Sequence, residues 1–112
     1  MTNCLFCKMV SGEIKPDAVF EDDNILAFRD INPQAPVHIL VIPKRHIATL
    51  NDLDDTELSG QLLKTAVNLA KQEGLSEEGY RVVFNCNQNG GQAVYHLHLH
   101  LLGGRQMTWP PG

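Results

Sequence analysis

The segment Tyr95–Leu102 alternates strictly, with His96, His98 and His100 interleaved by Leu97, Leu99 and Leu101. A period of two belongs to an extended strand, whose successive side chains point to opposite faces. The pattern predicts a strand that buries leucines on one side and lines up three imidazoles on the other, roughly 6.5–7 Å apart. On a helix the same rings would fan out over more than half the circumference. Upstream, Ala18–Glu21 and Ile25–Arg29 read as a hairpin around the turn residues Asp22-Asp23-Asn24. Val37–Ile42 reads as a third strand stopped by Pro43, and Tyr80–Asn85 as a fourth, which makes the histidine run the fifth. The one long helix is predicted from about Asp54 to Glu73, with Leu58, Leu62, Ala66 and Leu69 on one face. Asp54 and Glu57 resemble a capping box at its start, and Gly74 suits the C′ position at its end. Cys4–Ser11 reads as a short helical or turn segment closed by Gly12 and Pro16.

The order β-β-β-α-β-β implies an α+β fold, a five-stranded antiparallel sheet with one long helix packed on it and a short N-terminal helix. Residues 1–112 are read as a single domain, able to bury roughly 65% of the extended-chain surface without disulfides. From about residue 103 the chain should form an extended tail, since Trp109-Pro-Pro-Gly112 can continue neither strand nor helix.

Charge and cysteine usage narrow the class. A formal charge of −4 argues against an electrostatic nucleic-acid or anionic-membrane binder, while a single nucleotide stays admissible as ligand. No stretch is long and apolar enough to span a bilayer, and Met1-Thr2-Asn3-Cys4 does not open like a secretory signal. Three cysteines make no disulfide framework, so a reducing cytoplasm is the expected location.

The chemistry concentrates at two places. Asn87-Gln-Asn-Gly-Gly-Gln92 precedes the histidines, and paired glycines let consecutive amides turn toward one anion, which suggests a phosphate cradle. A neutral imidazole is a good nucleophile toward phosphorus, and a neighbour two residues on can donate to a phosphoryl oxygen. The pattern fits phosphoryl or nucleotidyl transfer through a phosphohistidine-type intermediate. No nucleophile elbow of a serine hydrolase is present. A zinc ion held by His96, His98 and His100 and activating water is a competing reading. Cys4-Leu-Phe-Cys7 is the second place; one such pair can be redox-active, metal-binding or incidental, and zinc would need two further ligands. Residues alone also leave bland readings open: His38 as a core histidine, Asp30 as a turn cap, and Phe28 and Ile31 as core. Trp109 is an aromatic in an irregular tail, which points to docking, most simply self-association.

The run His-Leu-His-Leu-His-Leu-Leu resembles the motif of the histidine triad (HIT) superfamily. Asp30-Ile-Asn-Pro-Gln-Ala-Pro-Val-His38, Val41-Ile-Pro-Lys-Arg-His46, Gly90-Gly-Gln-Ala-Val-Tyr-His96 and Gly103-Gly-Arg-Gln-Met-Thr-Trp-Pro-Pro-Gly112 are similar to its Hint branch, the histidine triad nucleotide-binding proteins, over essentially the whole chain. The resemblance implies a purine nucleoside phosphoramidate hydrolase that releases AMP or GMP from an amine. The alternatives are a dinucleoside polyphosphate hydrolase or nucleotidyl transferase, or a non-catalytic nucleotide-binding interaction module. It implies that His98 is the nucleophile, that His100 contacts the phosphate, and that His38 supports the pair. Asp30 would bind ribose hydroxyls; Phe28 and Ile31 would wall a purine pocket closed by Leu5, Phe6 and Met9. Asn85, Gly91 and Val94 would surround ribose and phosphate. Ala93 stands where many relatives have serine, leaving only its backbone amide. The family further implies a homodimer with a ten-stranded sheet, Trp109 reaching the partner subunit's site, and a structural zinc on Cys4, Cys7, His46 and His96. Cys86 is left over as an ordinary thiol.

Overall fold

In the computed structural model, which describes residues 3–112, the most deeply buried strand is β3 (Val37–Pro43), with six of its seven residues inside. It is the centre of a five-stranded, wholly antiparallel sheet. Its neighbours are β2 (Ile25–Arg29) and β5 (Leu99–Gly103), with β1 (Ala18–Glu21) and β4 (Tyr80–Phe84) at the two edges. A continuous apolar run is what a central strand covered on both faces requires. The period of two then divides each strand between two cores. Ile25, Ala27, Ile39, Val41, Leu99 and Leu101 pack under α2 (Thr56–Gln72), against its Leu58, Leu62, Ala66, Leu69 and Ala70. Leu26, Phe28, Leu40 and Ile42 form a smaller cluster on the opposite face with Phe6 of α1 (Leu5–Ser11). That opposite face is where the histidines emerge.

The long helix starts one residue later than the sequence pattern suggests. Asp55, not Asp54, is the N-cap, and its carboxylate accepts from the Leu58 amide at 3.0 Å. Both aspartates are competent caps, so the burial of Leu58 and Leu62 selects the register. A reciprocal capping box occurs instead at the 3-10 turn before it, between Thr49 and Asp52. At the other end Gly74 does occupy the C′ position, with φ +76°. Its amide donates to the Lys71 carbonyl at 3.1 Å and that of Leu75 to Ala70 at 2.8 Å, a Schellman closure that drives Leu75 into the core.

The fifth strand corrects the sequence reading more substantially. Ladder pairing begins only at Leu99, so of the three alternate histidines His100 alone lies in β5. Extending the register backward would set Leu97 opposite Pro43, which has no amide to donate. On the other side the chain has already left β4 for the helical turn α3 (Asn87–Gly90). The backbone of residues 96–97 makes other bonds: the Leu97 amide donates to Ile47 at 2.6 Å, and the His96 carbonyl takes a side-chain donor. Alternation of the side chains nevertheless persists. Leu97 enters the helix-side core, and His96 and His98 face Phe6. Among the described residues, no helix is long and apolar enough to cross a membrane.

Candidate active site

His38 of β3 and His100 of β5 meet on the α1 face, with His38 Nε2 and His100 Nδ1 2.9 Å apart. The direction of this hydrogen bond follows from the next one. The Gln34 backbone amide donates to His38 Nδ1 at 3.0 Å, so that nitrogen holds a lone pair and a neutral His38 carries its proton on Nε2. His38 therefore donates to His100 Nδ1, and His100 keeps its own proton on Nε2. His98 is fixed differently: its Nδ1–H donates to the His96 carbonyl at 2.8 Å, which leaves Nε2 as a lone pair. The ring centres of His98 and His100 are 4.9 Å apart, closer than flat strand geometry predicts. Phe6 stands edge-on to His98 at 5.2 Å and to Phe28 at 5.4 Å. A free imidazole nitrogen thus sits beside an imidazole N–H, a pairing that can attack and support a phosphoryl centre.

Electrostatics keep these rings neutral. Burial lowers the pKa of His98, and burial also lowers that of His38, partly opposed by the Asp30 carboxylate. His100 is pushed down to about 4, first by burial and then by the neighbouring His98 and His38. Unfolded, an imidazole takes up its proton near pH 6.5; folded, His100 declines it until about pH 4. Between those values the unfolded chain binds more protons, so stability should fall as pH falls. Urea midpoints measured from pH 7.5 down to pH 5 should decline, and His100→Asn should flatten that slope. An unchanged slope in the variant would count against this account.

Asp30 follows β2 and lies beside the pair, with Oδ2 3.4 Å from His38 Nε2 and Oδ1 accepting the Asn32 amide at 2.9 Å. Asp30, His38 and His100 could in principle hold a metal by proximity. The tautomer argues against it: His38 would need its Nε2 lone pair, which requires a proton on Nδ1 where the Gln34 amide already donates.

A second cluster suits a metal well. Cys4, Cys7, His46 and His96 offer four donor atoms all within 4.8 Å of one another. Cys4 Sγ lies 3.3 Å from His96 Nδ1, and Cys7 Sγ 3.3 Å from His46 Nδ1. His96 Nε2–H donates to the Pro43 carbonyl at 2.8 Å, so its Nδ1 presents a lone pair to the sulfurs, as a ligating histidine must. Burial, and then the Cys4 side chain, raise the Cys7 pKa. Two thiolates and two imidazoles match the donor set of a closed tetrahedral zinc site.

The remaining positions singled out above divide sharply. Phe28 is buried, Ile31 is 96% exposed, Met9 packs against the Phe6 cluster, and Leu5 is 41% exposed. Trp109 is 82% exposed and pairs with no histidine ring among the described residues. Asn85 lies directly under Gly90, where an added Cβ would come within 3.5 Å of its backbone. The glycine cradle is corrected: Asn87–Gly90 is a helical turn, and the amides of Gly91 and Gln92 are consumed within it by Gln88 and Asn87. The amides of exposed Ala93 and half-buried Val94, just beyond the turn, make no hydrogen bond among the described residues.

Gln92 escaped the sequence reading. It is 8% exposed, its Oε1 accepts the Asn87 amide at 2.9 Å, and its Nε2 donates to Ala48 at 2.8 Å and Val94 at 3.1 Å. One amide thus joins the α3 turn, the Ala93–Val94 segment and the loop that carries His46. Nothing in a lone glutamine after two glycines signals this. Gln92→Ala leaves three backbone groups unpaired and should cost about 2 kcal/mol in chemical denaturation.

Three alternate histidines, His100 on β5 and His96 and His98 on the segment leading into it, project onto the face opposite the long helix, the arrangement of the histidine triad class. The chain belongs to the HIT domain family, whose model matches residues 11–107. It is 49% identical over 105 residues to a purine nucleoside phosphoramidase of Escherichia coli strain K12, covering 92% of this chain and 88% of that one. It is 52% identical to a 14 kDa zinc-binding protein of Zea mays, covering 96% and 87% respectively. A crystal structure of a HIT family hydrolase from Legionella pneumophila superposes with a TM-score of 0.96 at 68% identity, covering 98% of this chain and all of the other.

Proposed function

We propose that this protein hydrolyses purine nucleoside phosphoramidates through a nucleotidyl-His98 intermediate. The observation that carries the reading is the opposed tautomers of His98 and His100, lone pair beside N–H, fixed by bonds on their other nitrogens. His98 Nε2 attacks the α-phosphorus and the P–N bond to the amine breaks, the leaving nitrogen taking up a proton from solvent. The ring gains positive charge as the P–Nε2 bond forms, and the His96 carbonyl on Nδ1–H stabilises it. His100 Nε2–H donates to a phosphoryl oxygen throughout. Water then attacks phosphorus and gives a proton back to solvent, the P–Nε2 bond breaks, and the neutral imidazole returns with release of AMP or GMP. The similarity to a purine nucleoside phosphoramidase supports this class of substrate.

In this reading Asp30 would take ribose hydroxyls, Phe28 and Ile31 would flank the base, and Asn85, Gly91 and the Ala93 and Val94 amides would surround ribose and phosphate. With no hydroxyl at Ala93, the leaving group is held by backbone alone. Zinc bound by Cys4, Cys7, His46 and His96 would hold α1 on the sheet; its four protein ligands leave no position for water, so its part is structural. Edge strand β4 has an unpaired side, which supports a homodimer with a ten-stranded sheet in which Trp109 reaches the partner's site. The test is to mix enzyme with adenosine phosphoramidate, quench in base and weigh the intact chain. One adenylyl group per chain, mapped to His98, is expected. A parallel panel with a dinucleoside polyphosphate should show slower turnover, and faster turnover there would transfer the assignment to that class.

A further inference from the structure

We propose that Arg105, in the tail after β5, is a positioning residue that fixes where the catalytic imidazoles carry their protons, acting by holding the Gln34 backbone in place. This rests on the functional reading above and assigns a part to a residue outside the site. Arg105 Nε donates to the Gln34 carbonyl at 3.0 Å, and the Gln34 amide donates to His38 Nδ1 at 3.0 Å. His38 in turn donates to His100 Nδ1 at 2.9 Å. Arg105 thus holds the carbonyl of the residue whose amide fixes the His38 ring, and His38 in turn sets the N–H of His100 that faces the phosphoryl group.

The loop it holds has little else to fix it. Asn32 and Gln34 bond within the loop, through Asp30 Oδ1 and the Asn32 carbonyl. Among the described residues, the Arg105 bond is the hydrogen bond that ties residues 31–36 to chain outside 30–38. The tail reaches it by lying flat on the loop. Gly104 has φ +92°, and a Cβ there would stand 2.9 Å from Pro36 Cβ, so only glycine permits the approach. Arg105 itself is exposed, and its other bond is to the adjacent Gln106 carbonyl.

The consequence is chemical rather than mechanical. The two neutral tautomers of an imidazole differ little in energy, so the Gln34 amide on Nδ1, helped by Asp30 Oδ2 at 3.4 Å from Nε2, selects between them. If the Gln34 amide swings away, His38 can place its proton on Nδ1 and accept at Nε2. His100 Nδ1 must then donate, and His100 turns an unprotonated Nε2, a lone pair, toward the phosphoryl oxygens. Attraction becomes repulsion at the reacting centre while the fold is unchanged.

The experiment uses the full-length, zinc-loaded protein labelled with 15N-histidine, whose ring nitrogens report tautomers directly by NMR and need no substrate. Wild type should show His38 and His100 protonated on Nε2 and His98 on Nδ1. Arg105→Ala should give mixed tautomers at His38 and His100, with kcat on adenosine phosphoramidate lower by about tenfold, the worth of one hydrogen bond, and KM little moved. Arg105→Lys, which can still donate to the carbonyl, should restore most of both. Gln34→Pro, which deletes the amide proton, should reproduce the Arg105→Ala spectrum, whereas Gln34→Ala, which keeps it, should resemble wild type. Unmixed tautomers in Arg105→Ala, or His38 protonated on Nδ1 in wild type, overturn the proposal even if Gln34→Pro fails to fold. Absence of any phosphoramidate turnover by wild type, with the tautomer pattern as described, would instead overturn the functional reading and leave the positioning role of Arg105 standing.

Discussion

His98→Ala is expected to lower turnover of a purine nucleoside phosphoramidate by about 10⁵-fold or more, the scale seen when a covalent nucleophile is removed. Binding of AMP, read by calorimetry or by a competition assay, should change by less than about tenfold. The asymmetry follows from where His98 sits. It is 7% exposed with its ring edge-packed by Phe6, so it contributes little surface to a bound nucleotide and one lone pair to the reaction. Ribose and base would be held by the Asp30 side and the Phe28 region, which the substitution leaves in place. His98→Gln should be as inactive as alanine, because an amide nitrogen is no nucleophile even if it fills the ring's place. Turnover surviving in either variant would remove the covalent pathway. A smaller loss is expected at His38, whose ring bonds to His100 at 2.9 Å and would act through it.

Stripping the metal centre is expected to lower the melting temperature by about 15 °C, taking a modest ~4 kcal/mol for the site and ~4 °C per kcal/mol for a domain of this size. The reason lies in what the cluster joins. Cys4 and Cys7 bracket Phe6 at the start of α1, His46 follows β3, and His96 lies just ahead of β5. α1 is only seven residues long and buries chiefly Phe6, too little to hold itself on the sheet. Without a cation the Cys7 thiol, already raised in pKa by burial, and its neighbours lose their partner. Calorimetric scans with and without chelator should differ in wild type and coincide in Cys4→Ala/Cys7→Ala, with zinc measured at one per chain in the former and none in the latter. Phe6 would loosen with α1, so His98 should show a broadened NMR signal in the metal-free protein. A melting temperature indifferent to chelation would dismiss the clamp.

Much of this was legible before any coordinates. The alternation at 96–101 placed Leu97, Leu99 and Leu101 in one core and the imidazoles opposite, because side-chain facing depends on extended backbone alone and not on whether a ladder forms. Five strands and one long helix follow from local periodicity, as does the Gly74 closure, since a positive φ after an apolar helix is a local demand. What failed were statements that hinge on partners distant in sequence. β5 begins at Leu99 because Pro43 and α3 deny the earlier residues a ladder, which no window of local sequence contains. The glycine pair became a helical turn because Gln92 reaches back to Asn87 and across to Ala48. Asp55 displaced Asp54 because the core, not the cap, chose the register.

By itself, then, the sequence determined the chemical inventory: nucleophilic rings on alternate positions, a thiol pair, an acidic residue ahead of a histidine strand, and a fold class to carry them. Only the tertiary structure decided which nitrogen of each ring holds its proton, since that depends on an amide from residue 34, a carbonyl from residue 43 and an arginine from residue 105. Imidazole chemistry is set by the bond on the far side of the ring, and those bonds span up to 62 residues of chain.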